Sequence, residues 1–259
     1  MRGEEMHIVF CSDVGKKRKN NQDFAGYFTN QQGITLAVLC DGMGGHKAGD
    51  VASEMAVSHL GNAWEETGVN ELEAVRQWML KNINTENKRI VEKSHQFPDL
   101  EGMGTTLVAA VYIDNQLVVA NIGDSRGYHY ANGTLKQITD DHSLVNELVK
   151  SGELSNEAAL KHPQKNVLTR SLGASEKVEV DLMVVSVLKE DQLLLCSDGL
   201  TNMVKDVEIA EILRERSTSL EEKVTSLISL ANARGGYDNI TVLLIDFFDR
   251  KEGENNGDW

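Results

Sequence analysis

Residues 105–138 read TTLVAAVYIDNQLVVANIGDSRGYHYANGTLKQI. Apolar runs at Thr105 to Ile113, Gln116 to Asn121, Arg126 to Tyr130 and Thr134 to Ile138 follow one another, with Asp114-Asn115 and Asn132-Gly133 between neighbouring runs. Asn-Gly favours the positive-φ turn of a two-residue hairpin, so this block predicts an antiparallel meander and not parallel crossover units. Further strands are expected at Ile34 to Cys40, Val178 to Val185, Gln192 to Cys196 and Ile240 to Phe248. Ile240-Thr-Val-Leu-Leu-Ile245 lacks the polar alternation of a half-exposed strand, as expected of a sheet buried on both faces. Ala52, Ala56, Leu60 and Trp64 form one helical stripe, and Leu72, Val75, Met79, Ile83 and Ile90 a second. Val224, Leu227, Ile228 and Ala231 repeat the pattern near the end. The layout is α+β: a four-layer α-β-β-α sandwich, two antiparallel sheets face to face with helices outside.

Composition agrees with a compact chain. The chain has 259 residues, 41% apolar and 25% charged, with only two prolines, enough to bury a sizeable core and few places for a stiff linker. No Pro/Gly/Ser-rich gap interrupts it, so residues 1–249 are expected to be a single domain, with 250–259 a flexible polar tail. The 26 Lys+Arg face 40 Asp+Glu, a net charge of −14, and the longest basic block is Lys16-Lys17-Arg18-Lys19. Nucleic acid is excluded as a general partner. The longest apolar run, Leu107 to Ile113, is too short for a membrane span, and residues 1–10 lack a secretory segment, so a cytoplasmic protein is expected. Cys11, Cys40 and Cys196 have no metal-ligand spacing and are expected to pack as small hydrophobes.

Aspartates recur where apolar runs end. Asp41 ends Leu36-Ala-Val-Leu-Cys40, Asp124 follows Val118-Val-Ala-Asn-Ile-Gly123, Asp198 ends Leu193-Leu-Leu-Cys-Ser197, and Asp238 precedes Asn239 and the last strand. A single Asp at such a place is more often a turn former than a ligand. Four together on one rim of a sandwich repel, and are tolerated if some are protonated or a cation sits among them. Oxygen donors without His or Cys point to Mg²⁺ or Mn²⁺. In Asp41-Gly-Met-Gly-Gly-His46 the glycines let the backbone approach a ligand and offer the Gly42 carbonyl to a hard cation. The same segment reads blandly as a strand-to-helix turn, and no phosphate-loop pattern is present. Arg18, in Ser12-Asp13-Val-Gly-Lys-Lys-Arg18-Lys-Asn-Asn21-Gln22-Asp23, is a guanidinium suited to holding two phosphate oxygens. By charge alone its neighbourhood is a solvated basic loop.

The ordered set resembles the metal-dependent protein phosphatases, the type 2C serine/threonine phosphatases, in their bacterial form. Carrying the resemblance are Ser12-Asp13-Val-Gly-x-x-Arg18-x-x-Asn21-Gln22-Asp23, Asp41-Gly-Met-Gly-Gly-His46, Gly102-Met-Gly-Thr-Thr106, Gly123-Asp-Ser-Arg126, Ser197-Asp-Gly199 and Gly236-Tyr-Asp-Asn239. It implies a centre of two Mn²⁺ or Mg²⁺ ions in a cleft at one rim. Asp41 would bridge them, the Gly42 carbonyl would bind one, and Asp198 and Asp238 would bind the other. Arg18 would bind the substrate phosphate, Asp23 would support metal-bound waters, and Asp124 matches the position that helps hold a third ion. Residues 143–173 correspond to the family's variable flap.

The implied activity is hydrolysis of phosphoserine and phosphothreonine on proteins by a metal-activated water, in a monomer opposing a bacterial Ser/Thr kinase. Gln22 stands where animal members carry Glu, and Met43 where they carry His, so no general acid is assigned by motif; His46 or a metal-bound water would serve. A phosphatase-like binding module and a small-metabolite phosphatase are the alternatives. Loss of Asp41, Asp198 or Asp238 would have favoured the module, and none is lost.

Overall fold

The computed structural model describes residues 6–44, 48–159 and 161–247. His46 and the tail at 250–259 therefore lie outside the described residues. Eleven strands are described: β1 His7–Asp13, β2 Asp23–Thr29, β3 Thr35–Met43, β4 Gly104–Thr105, β5 Leu107–Ile113, β6 Gln116–Ile122, β7 Arg126–Ala131, β8 Thr134–Gln137, β9 Asp181–Ser186, β10 Gln192–Cys196 and β11 Ile240–Asp246. Seven α-helices accompany them: α1 Ala48–Glu65, α2 Leu72–Gln96, α3 Leu144–Lys150, α4 Asn156–Ala159, α5 Asp198–Thr201, α6 Asp206–Arg214 and α7 Leu220–Ala233.

The strands form two antiparallel sheets. One runs β1-β11-β10-β7-β8; the other runs β2-β3-β5-β6-β9, with β4 paired to the end of β3. The period-2 geometry of a strand sends neighbouring side chains to opposite faces, and here both faces are covered. Leu36, Val38 and Cys40 of β3, with Leu107, Ala109 and Val111 of β5, meet α1 and α2 in one core that contains Trp64. Ala37, Leu39, Val108 and Ala110 point the other way, into a middle core shared with Leu193, Leu195, Leu243 and Ile245 of the opposite sheet. Leu194, Cys196, Val242 and Leu244 face α6 and α7 in a third core. Three cores between four layers make the α-β-β-α sandwich. That double coverage explains why β5, β10 and β11 read as unbroken apolar runs.

Several helix and strand ends carry their own local reasons. Ser219 Oγ accepts from the Glu222 amide while the Glu222 carboxylate accepts from the Ser219 amide, a reciprocal box that starts α7. Trp64 Nε1 donates to the Ile34 carbonyl at 2.9 Å, tying the last turn of α1 to the start of β3. The two turns form as expected, with Asp114, Asn115 and Asn132 at positive φ, but the block is two hairpins and not one meander: β5-β6 lies in one sheet and β7-β8 in the other, because the chain crosses between the sheets at residues 123–125.

Some expectations are corrected. The run from Thr105 is two strands, because the Thr106 hydroxyl turns aside to accept from the Asp41 amide. The run at 178–185 is strand only over Asp181–Ser186, with Val178 and Val180 packed against the α1/α2 core ahead of it. Two strands, β1 and β2, were not expected; both are sheet edges, where exposure blurs the apolar pattern. Cys40 and Cys196 are buried, but Cys11, on the edge strand β1, is exposed. Burial pushes the Cys196 thiol up to about 12 and raises that of Cys40 as well, so neither is a thiolate nucleophile near neutral pH.

Candidate active site

The chain leaves the two sheets repeatedly at the same rim, and these departures deliver the candidate residues. Arg18 lies between β1 and β2, Asp41 and Gly42 end β3, Asp124 sits between β6 and β7, Asp198 opens α5, and Asp238 precedes β11. All six line one cleft of about 360 Å³, together with Gln22, Met43 and Asn239. Asp23 is not among the cleft-lining residues; it stands directly across the β2/β3 ladder from Asp41 and is buried.

Close backbone approach makes this convergence sterically possible. A Cβ at Gly42 would lie 2.0 Å from the Gly49 carbonyl oxygen and 2.6 Å from that of Gln22. Only glycine lets the end of β3 nest between these two segments. Gly15 has φ +76°, and a Cβ there would lie 2.1 Å from the Asp238 carbonyl oxygen. The loop carrying Arg18 therefore presses onto the segment carrying Asp238, and Lys16 and Lys17 amides both donate to the Gly236 carbonyl. Arg18 Nη2 reaches Asp238 Oδ2 at 2.8 Å, with Arg18 half-exposed at the mouth.

A polar scaffold orients the carboxylates. Asn202, one helical turn after Asp198, donates to Asp198 Oδ2 at 2.9 Å, and the Asn239 amide N–H donates to Asp238 Oδ1 at 2.9 Å. Asn239 also bolts the rim together: its Oδ1 accepts from the Gln22 amide, and its Nδ2 donates to the Val14 and Asn20 carbonyls. The Asp41 amide donates to Thr106 Oγ1, which lies 2.7 Å from Ser125 Oγ beside Asp124. Behind the wall, Asn21 donates to Ser12 Oγ, which lies 2.6 Å from Thr241 Oγ1. Thr241 and Ser197 hydroxyls both donate to Asp23 Oδ2 at 2.7 Å. Asp23 is thus a joint between the sheets as well as a neighbour of Asp41.

The motifs quoted from the sequence contained Ser12, Asn21, Thr106 and Asn239, but no role could be read for them there. Asn202 was missed altogether, although its spacing of four from Asp198 is the signal of a helical pair. Asn166 and Ser171, which also line the cleft, carried no local signal. A second hollow of about 240 Å³ adjoins the first, sharing Asp124, Asn166 and Asp198 and bounded by Val145 and Val149 of α3.

Burial, then repulsion from Asp23, Asp198, Asp124 and Asp238, holds the Asp41 carboxyl well above the ordinary range. Burial raises Asp198 to about 6, with Asp238 adding to it and the Asn202 bond opposing. Asp124 is raised to about 7 by burial and by Asp198 and Asp141, and Asp23 to about 6 by burial against its two hydroxyl bonds. One buried oxygen on each of Asp198 and Asp23 has no hydrogen-bond partner. Among the described residues no group of three His, Cys, Asp or Glu side chains is placed to hold an ion by itself. Oxygen donors with no His or Cys in the cleft lining fit hard cations that also take backbone carbonyls and water, and do not fit zinc.

Comparison with known proteins identifies the family. The family model described as Protein phosphatase 2C matches residues 15–234. The serine/threonine phosphatase stp of Listeria monocytogenes serotype 4b is 52% identical over 242 residues, 93% of this chain and 96% of that protein. The protein phosphatase PhpP of Streptococcus pneumoniae serotype 2 is 46% identical over 243 residues, covering 93% and 97%. Among solved structures, the S. agalactiae serine/threonine phosphatase superposes with a TM-score of 0.90 at 48% identity, over 93% of this chain and 99% of that one. The Mycobacterium tuberculosis phosphatase PstP/Ppp does so with 0.83 at 37%, over 94% and 99%. With the family model spanning most of its length and relatives near half identity across almost all of it, the chain belongs to the protein phosphatase 2C family.

Proposed function

We propose that this chain, a protein serine/threonine phosphatase, hydrolyses phosphoserine and phosphothreonine by direct attack of water, and that it opposes a bacterial Ser/Thr kinase. The observation that carries the reading is the meeting of Asp41, Asp124, Asp198 and Asp238 with Arg18 in one cleft. Asp41, the Gly42 carbonyl, Asp198 and Asp238 would hold two Mn²⁺ or Mg²⁺ ions, and Asp124 would help to hold a third. Bound there, such ions lower the pKa of the attacking water and neutralise the phosphate oxygens.

The chain's own side chains do the rest. Arg18, at the cleft mouth, exchanges its exposed contact with Asp238 for two oxygens of the substrate phosphate. Asn202 and the Asn239 amide hold the two carboxylates of the cleft, and Asp23, across the ladder from Asp41, has one unpartnered oxygen that would accept from a metal-bound water. No cysteine takes part, so no covalent phosphoenzyme forms on a thiol. Residues 143–173, with α3 and α4 beside the second hollow, act as a flap over the entrance within a single catalytic domain of residues 1–249. We assign the working form to a monomer in the cytoplasm; no helix among the described residues is long and apolar enough to cross a membrane.

The test is turnover of a phosphothreonine peptide beside a small aryl phosphate, each with chelator and with Mn²⁺. Mn²⁺-dependent turnover with clear preference for the peptide is expected. Preference for the aryl phosphate would favour a metabolite phosphatase, and no turnover of either would favour a binding module.

A further inference from the structure

The turn that presents Asp124 is held from outside by the segment leading into α3. Asn121 Nδ2 donates to the Asp140 carbonyl at 2.9 Å, Arg126 forks onto Asp141, and the Gly127 amide donates to Thr139 Oγ1. At the centre is His142, buried with its side chain 6% exposed. Its amide donates to the Gly123 carbonyl at 2.9 Å, and the Gly123 amide donates back to His142 Nδ1 at 3.1 Å. An amide N–H can only donate, so Nδ1 carries the lone pair and the ring proton sits on Nε2. That proton is given to Asp181 Oδ2 on β9 at 3.1 Å, while Arg170 donates to Asp181 Oδ1 at 2.8 Å. The His142 carbonyl accepts from the Thr169 amide.

One ring thus joins the peptide before Asp124, the edge of the six-stranded sheet, and both ends of the 143–171 segment. Gly123 has φ +100°, and a Cβ there would strike Thr106 at 2.6 Å, so this peptide has no side chain of its own to hold it. Asp124 follows Gly123 directly and lines the cleft, so where its side chain starts is set by the main chain at 123–124.

Resting on the phosphatase reading above, we propose that His142 is a positioning residue for Asp124: its Nδ1 fixes the Gly123 peptide, and its Nε2–H anchors the ring to Asp181. Movement of the segment that begins at Ser143 is thereby transmitted to the third-ion carboxylate in the cleft. The role depends on one nitrogen more than on bulk, and this can be read out.

Asn places an acceptor near Nδ1 and keeps the Gly123 bond, whereas Gln places its amide near Nε2 and keeps only the Asp181 end. The experiment compares wild type, His142→Ala, His142→Asn and His142→Gln. It measures kcat and KM on a phosphothreonine peptide, and the Mn²⁺ concentration giving half of the Mn²⁺-induced rise in Tm. Expected for Ala and Gln is a fall in kcat on the order of 10-fold with KM within about 2-fold, and a higher Mn²⁺ requirement in the melt. Asn should recover most of both. Equal behaviour of Asn and Gln, or better recovery by Gln, would overturn the positioning role. A wild type without turnover would overturn the functional reading instead, and the Mn²⁺ melts would still decide the role of His142.

Discussion

At the scale of single residues the cleft gathers four carboxylates and one guanidinium. Arg18 and Asp238 form a largely exposed ion pair, which contributes at most about 1 kcal/mol to stability. Arg18 is therefore free to trade partners, and Arg18→Ala should leave Tm nearly unchanged. It should lower kcat/KM on a phosphopeptide by about 10- to 100-fold, the loss of one charge-assisted contact. Asp198→Ala should remove nearly all turnover, because Asn202 orients a carboxylate that no neighbour replaces. Steady-state kinetics on both variants check this; an Arg18→Ala enzyme with unchanged kcat and KM would remove the guanidinium from the site. That these residues share one rim was legible in the sequence, because each sits in a motif at a strand end or in the loop that follows one. The place of Asp23 was legible only in part: its motif marks it as important, but its bonds to Ser197 and Thr241 join positions 174 and 218 residues away. No local pattern announces a contact of that range.

At the scale of elements, the site is a set of loops forced together by close backbone contacts. Gly42 is the tightest of those on the cleft wall, where a Cβ would meet two carbonyl oxygens. Gly42→Ala should cost about 1 to 3 kcal/mol and displace the end of β3, lowering Tm and weakening Mn²⁺ binding together. Thermal melts and calorimetry on the variant test this, and an unaltered Mn²⁺ affinity would show that the Gly42 segment is no part of the cation site. Elements buried on both faces, such as β5, β10 and β11, announced themselves by apolar runs, and α1, α2 and α7 by their stripes. The edge strands β1 and β2 did not, because Phe10, Phe24 and Tyr27 stay exposed and the pattern loses its period. The break between β4 and β5 was likewise hidden, since it depends on Thr106 bonding across to Asp41.

At the scale of the whole molecule, two sheets share a middle apolar core and bring mutually repelling carboxylates to one rim. Without metal, Asp23, Asp198 and Asp124 have folded-state values near 6, 6 and 7, raised from 3.8 chiefly by burial. A carboxyl whose folded value lies above its unfolded one stabilises the fold at low pH, and that contribution is lost as pH rises through the folded value. The chelated protein should therefore melt lower at pH 7.5 than at pH 5, whereas saturating Mn²⁺, which needs ionised carboxylates, should flatten or reverse that slope. Melts across this range with and without Mn²⁺ check the sign; a chelated protein that gains stability toward pH 7.5 would contradict it. Asp41 lies at the centre of the repulsion, so removing its charge isolates the principle on which site and function both rest. The decisive measurement is a pair of thermal melts, wild type and Asp41→Asn, each in chelator and through a Mn²⁺ titration. The account predicts that Asp41→Asn melts no lower than wild type in chelator and rises much less with Mn²⁺, while losing turnover. A variant much less stable in chelator, or one with an undiminished Mn²⁺ shift, would contradict Asp41 as the central ligand of a cation-dependent phosphatase.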